Sequence, residues 1–285
     1  MAAVTGKLDV GAMLRDLRER RRLSQLEVAL RAGISARHLS FVETGRSKPG
    51  REMLLAVLQQ LDAPFRERNR VLLAAGHAPA FAERPLEHAD LALVREALER
   101  ILAAHEPNPA VVFDRGWNMV AANSVMFALA EVADVDPALL EPPINVLRVG
   151  LHPRGLAPLM ANLADWRAHF LERLERQVAV AGDAELAALL DEVRGYPGTD
   201  NVRDGNADRG GSEILGPLRV RPPGAGELSF FGMFATFDTP FEVTTSELAI
   251  ELLFPADAQT AQTMKTLAPE QGGARWTPTS GPRRG

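Results

Sequence analysis

One stretch of the chain carries side chains that can read a base edge. Arg37 lies four residues beyond Gly33, with Ala36, Ser40 and Phe41 close by, and Arg46 and Lys48 shortly after. Arginine presents a rigid fork of donors that matches guanine bidentately in the major groove, and an apolar ring can meet a thymine methyl. His38 reads as an ordinary edge residue of the same surface. The competing reading for Arg37 is a solvated surface arginine, and for Phe41 packing on the next helix. A plain αα-hairpin in a helical bundle would not explain the spacing and the basic charge together.

Other chemistry finds no footing. There is no cysteine, which excludes disulfides, thiol catalysis and thiolate metal sites and fits a reducing cytoplasm. The six histidines are scattered without metal-ligand spacing. Neither a nucleophile elbow nor a Gly-rich phosphate loop occurs. Asp204-x-Asn206-x-Asp208 resembles the start of a calcium loop, but Arg209 stands where glycine belongs and Leu215 where an acid belongs. No catalytic residue, metal ligand or cofactor is assigned. An enzyme using the C-terminal domain is the least favoured reading.

The elements around Arg37 follow from local rules. Ser24 and Glu27 form an S-x-x-E capping box that starts a helix. Val28, Ala29 and Ala32 give that helix a small apolar face, which a second helix can cross closely. Gly33 supplies the tight turn. Ser35 can cap the second helix, anchored by Leu39 and Val42, with Ala36, Arg37, Ser40 and Phe41 outward. Gly45 and Pro49 end it. Such an exposed helix, held by a glycine turn among basic residues, is how a recognition helix enters the major groove. Charge agrees: residues 1–80 carry 14 Lys and Arg against 8 Asp and Glu, whereas residues 81–285 carry 18 against 29. A basic head on an acidic body points to a polyanion for the head alone.

On these motifs, residues 11–75 resemble the Xre/Cro family of phage-repressor-like DNA-binding domains. The resemblance implies a five-helix all-α domain and double-stranded DNA as partner. It implies a phosphate contact for Gln25, a place near the backbone for Ser35, and base-reading positions for Ala36, Arg37 and Phe41. Arg46 and Lys48 would touch phosphates, and Arg18 and Glu43 match a pair that forms an internal salt bridge in some members.

Beyond a Pro- and Gly-containing boundary at 76–87, a helix is predicted over roughly Glu87–Ala104. The period then changes to two. Ala110–Asp114 and Trp117–Ala122 read as a hairpin, residues 124–195 as mainly helical, and Gly216–Pro222, Glu227–Asp238 and about Glu247–Phe254 as strands. In the last, Leu248, Ile250, Leu252 and Phe254 alternate with Glu247, Ala249 and Glu251, predicting one buried and one wetter face. A mobile loop is expected over 197–213 and a disordered tail over 263–285. The expected architecture is α+β: a helix-turn-helix domain over 1–80 and, over 81–262, a five-stranded antiparallel sheet with helices on one face, as in PAS-like folds.

Pro109–Asn123, Asn145–Pro153, Asn162–Arg167, Glu227–Phe231 and Ser246–Pro255 are similar to the MmyB-like ligand-binding domain found fused to such heads. That resemblance implies a PAS-like cavity able to hold a fatty-acid-like molecule. Trp117, Phe127, Trp166, Phe170, Phe230 and Phe234 could line it, although any one of them could equally be plain core. A carboxylate ligand would need a cation or donors, for which Arg148, His152 and Arg167 are candidates, with Asn118 and Asn123 as neutral donors. The sequence shows no apolar run long enough for a membrane span and no signal-peptide core at Met1–Leu8. The expectation is a cytoplasmic, ligand-responsive homodimer. The alternative is a DNA-binding regulator whose C-terminal domain is a dimerisation or docking platform with a filled core.

Overall fold

In the computed structural model, the residues described are 9–197, 216–237, 242–269 and 272–277. The chain divides into two compact units. One comprises 1–84 with 176–183 and 241–243, and the other holds the remainder. The calcium-like stretch 204–215 and most of the 197–213 loop lie outside the described residues.

The first unit contains α1 (Val10–Arg20), α2 (Gln25–Arg31), α3 (Ala36–Glu43), α4 (Arg51–Gln60) and α5 (Phe65–Ala74). Each helix is short and marginal alone, so stability comes from the shared core. Leu14, Leu17, Val28, Leu39, Leu54, Leu58 and Leu72 are almost wholly buried in it.

The chain continues with α6 (Ala92–His105), β1 (Ala110–Phe113), β2 (Met119–Asn123), α7 (Ser124–Val132), α8 (Val146–Leu151), α9 (Leu163–Ala181), whose residues 176–181 group with the first unit, and α10 (Ala184–Arg194). Then come β3 (Leu218–Val220), β4 (Leu228–Thr236), α11 (Val243–Ser246), β5 (Ala249–Pro255), α12 (Ala258–Leu267) and β6 (Ala274–Trp276). The strands form one sheet in the order β3-β4-β5-β1-β2-β6. Every pairing is antiparallel. The fold is thus α+β as expected, with two departures.

First, the sheet has six strands, not five. Residues 263–285 are not simply a disordered tail, because α12 runs through 267 and β6 pairs with β2. Asp257 caps α12 by accepting from the Thr260 N–H at 2.7 Å, and Met264 is fully buried. On β6, the Trp276 indole donates to Glu99 at 2.9 Å. Adding β6 covers what would otherwise be an open edge of β2. Residues 278–285 lie outside the described residues.

Second, helices cover both faces of the sheet. Leu98 and Leu102 of α6 pack with Val112, Ile250 and Leu252 on one face. Val125 and Leu129 of α7 and Met264 of α12 pack with Phe230 and Leu253 on the other. The face of β5 that bears Glu251 is therefore largely covered, with Glu251 itself half-buried. Its neighbour on that face, Leu253, is buried.

Candidate ligand cavity and nucleic-acid interface

In the first unit the predicted local rules are realised as hydrogen bonds. Ser24 Oγ accepts from the Glu27 N–H at 3.2 Å, and the Glu27 carboxylate accepts from the Ser24 N–H at 2.7 Å. Gly33 has φ +69°, and the Ile34 N–H donates to the Ala29 carbonyl at 2.9 Å to close the turn. Ser35 Oγ accepts from the His38 N–H at 3.1 Å and starts α3. Leu39 and Val42 face the core, so Arg37 is exposed on the outer side and Ala36, Ser40 and Phe41 are half-buried. The Arg37 guanidinium lies 5.3 Å from the centre of the Phe41 ring. Arg46 and Lys48 are exposed just beyond α3, and His38 is half-buried on its flank.

The expected Arg18–Glu43 pair is present and bidentate, at 2.8 and 2.9 Å. Gln25 has a partner within the unit. Its amide donates to Glu43 Oε2 at 2.8 Å, so in this state its side chain braces α2 to α3 rather than standing ready for a phosphate. Burial pushes the Glu43 carboxyl up, but the hydrogen bonds from Arg18 and Gln25 outweigh it and hold the group below the ordinary carboxylate range.

The second unit encloses a cavity of about 130 Å³. One water needs roughly 10–15 Å³ on the same scale, so the space suits a molecule well beyond one water. Its wall comes from the covered β5 face of the sheet and the helices above it. Val111, Met119, Phe230 and Leu253 contribute from strands, and Met126, Phe127, Leu147, Leu151 and Phe170 from α7, α8 and α9.

Of the residues expected to line a cavity, Phe127, Phe170 and Phe230 stand on this wall. The others do not. Trp117 is buried at φ +64°, stacked on Phe113 at 5.0 Å and edge-on to Phe170 at 6.1 Å. Trp166 is buried behind Phe170, 5.5 Å away. Phe234 lies under the Arg173 guanidinium, 3.7 Å from its ring centre.

The expected carboxylate anchors are committed elsewhere. Arg148 is locked on Glu192 by two hydrogen bonds, of 2.9 and 2.7 Å, and this pairing holds the Glu192 carboxyl below the ordinary range. His152 accepts from the Arg154 N–H at 3.0 Å and packs edge-on to Tyr196. Arg167 is fully buried and donates to the carbonyls of Val193, Arg194 and Tyr196 at 2.8, 3.1 and 2.9 Å. It thus holds the end of α10, where carbonyls lack helical partners. Asn118 closes the hairpin onto Asp114 at 2.9 and 3.1 Å. Asn123 caps α7, accepts from the Ala110 N–H at 3.1 Å and donates to the Asn108 carbonyl at 2.7 Å. Arg148 is held by one carboxylate and Asn118 holds another, the other three are engaged with backbone groups around them, and none of the five is on the wall.

One polar wall residue went unassigned: Glu251 on β5. Burial pushes its carboxyl up to about 7, against the opposing pull of Arg173. The signal available was Leu253, two residues on and apolar, which places an apolar neighbour on the face assigned to water. Arg173 was equally readable, continuing the Trp166–Phe170 face of α9 at helical spacing. No group of metal-ligating side chains occurs among the described residues, and no helix there is long and apolar enough to cross a membrane.

Comparison with family models gives two matches. Residues 94–267 match the MmyB-like transcription regulator ligand binding domain. Residues 14–68 match a helix-turn-helix model. A search of curated proteins finds no match.

Proposed function

Because the chain belongs to the MmyB-like transcription regulators, with a DNA-binding helix-turn-helix ahead of the ligand-binding domain, we propose that a small apolar molecule with a lipid-like chain sets its affinity for a specific DNA site. The observation that carries the ligand reading is the apolar cavity between sheet and helices. Leaving a space of about 130 Å³ empty costs on the order of 3 kcal/mol. A filled-core docking platform would have no reason to keep it. The run of two strands, a helical stretch and then three strands supports a PAS-like reading of the domain, and such sheets bind ligands between sheet and helices.

In this reading Arg37 and Phe41 face base edges, Arg46 and Lys48 face phosphates, and two copies of the chain read half-sites about one DNA turn apart. The molecule can change DNA affinity only by binding one arrangement of the protein better than another. Native and denaturing mass spectra of freshly purified protein test the ligand half directly. A discrete mass lost on denaturation is expected. A bare protein mass, together with failure of added lipid-like chains to bind, would transfer the domain to the docking-platform reading.

A further inference from the structure

Among the described residues, every other one on the cavity wall is apolar or glycine, and Glu251 alone there is ionisable. It sits in mid-sheet, directly across from Val111 on β1 and Phe234 on β4. No hydrogen bond to its carboxylate occurs among the described residues. A carboxylate in low-dielectric surroundings without donors is costly, and the cost is relieved by a partner that supplies them. The strand beside it leaves room for one. A Cβ added to Gly232 on β4 would stand 3.4 Å from Glu251 Oε1, in ordinary van der Waals contact, where glycine places no atom. The glycine therefore keeps the carboxylate's near side clear.

We propose that Glu251 receives the polar head of the ligand, and that this head is a hydrogen-bond donor, a primary amine before an alcohol, with a carboxylate disfavoured. The inference rests on the ligand reading above and narrows it from chain to head group. An ammonium against Glu251 gains a charge-assisted hydrogen bond in a water-poor site. An alcohol gains a weaker one. A carboxylate places like charges together and forces one to take up a proton. The charge facing Glu251 comes from Arg173 on α9, whose guanidinium lies over the rings of Phe234 and Trp117, at 3.7 and 5.1 Å. It is not a wall residue, and β1, β4, α7 and α8 present only apolar side chains or glycine to the cavity.

Calorimetric titrations of the full chain at pH 8 with decylamine, decanol and decanoate, below their micelle thresholds, test the assignment. Decylamine is expected to bind at least about tenfold tighter than decanoate, a ratio typical of one hydrogen bond to a charged group. Glu251→Gln should remove most of that advantage and leave decanol nearly unchanged. Glu251→Gln keeps the side-chain shape and one acceptor oxygen, removes the charge and replaces the other oxygen with an NH2 donor. Gly232→Ala, which sets a methyl in van der Waals contact with Glu251 Oε1 where a donor would approach, gives a second variant expected to weaken decylamine selectively. Decylamine affinity that ignores both substitutions would mean adsorption on the acidic surface and overturn the assignment. Decanoate binding tightest, with the preference lost in Arg173→Met, would also overturn it while leaving the cavity reading intact. Binding of none of the three would sink both.

Discussion

Arg37 is the residue whose removal separates reading from holding. Its guanidinium lies against the Phe41 ring, which limits a flexible side chain to one region in front of α3. Arg37→Ala should lower affinity for the cognate site by about 1–3 kcal/mol and affinity for random DNA far less. Titrations of both duplexes at one salt concentration check this; equal losses would make Arg37 a phosphate contact. Glu43 gives a pH signature. Its folded-state carboxyl is held below the ordinary range, so its stabilising contribution is present above the unfolded value and is lost as pH falls through the folded one. Arg18→Ala should cost about 3 kcal/mol at pH 7, because it removes the bidentate partner of a buried carboxylate and leaves it Gln25 and the more distant Arg15. The deficit relative to wild type should shrink in acid, as denaturant melts across pH would show. Arg37 was legible because spacing within one helical hairpin decides its neighbours, and the Arg18–Glu43 pair, which joins α1 to α3, was legible only through the resemblance to the phage-repressor-like domains. Glu251 was not: in a strand pattern a charge stands for water, and only the distant α7, α8 and α9 make that face dry.

At the scale of elements, the turns and caps were readable and the coverage of faces was not. Capping is a contract between residues three apart. Gly33→Ala would meet no atom within 4 Å, so its cost is the left-handed backbone alone, about 1–2 kcal/mol. What sits above a sheet depends on segments far away in the chain. β5 bears apolar residues on both faces, Ile250 and Leu252 on one and Leu253 on the other, and so requires helices on both. The same reasoning explains the anchors. Arg167 looked like a cation in search of an anion, yet the end of α10 supplies it with carbonyls. Arg167→Ala should therefore destabilise the second unit by about 3 kcal/mol, as removal of a buried donor that holds several carbonyls does. The affinity of the folded fraction for decylamine or decanol should stay unchanged. A selective loss of ligand affinity at full stability would restore Arg167 as an anchor.

For the molecule as a whole, the decisive quantity is the coupling between cavity and DNA. If a ligand changes DNA affinity by some factor, DNA must change ligand affinity by the same factor, because both are legs of one thermodynamic cycle. Regulators of this kind couple their sites by roughly 1–3 kcal/mol, about 5–150-fold. Filling the cavity from within separates occupancy from coupling. Ala130 stands on the wall, on α7, and Ala130→Leu adds apolar atoms to space that is otherwise empty. The variant should melt higher than the ligand-free wild type, by about 1 kcal/mol of added stability, and should no longer take up the ligand. Its DNA affinity should settle at one value, that of the ligand-free or of the ligand-bound protein, and cease to respond to added ligand. Which value it takes identifies the arrangement a filled cavity favours, and thus whether the ligand tightens or releases DNA. If wild-type DNA affinity is the same with and without saturating ligand, and ligand affinity is the same with and without DNA, the coupling is zero. The cavity would then serve stability alone, and Ala130→Leu would raise the melting temperature without touching regulation.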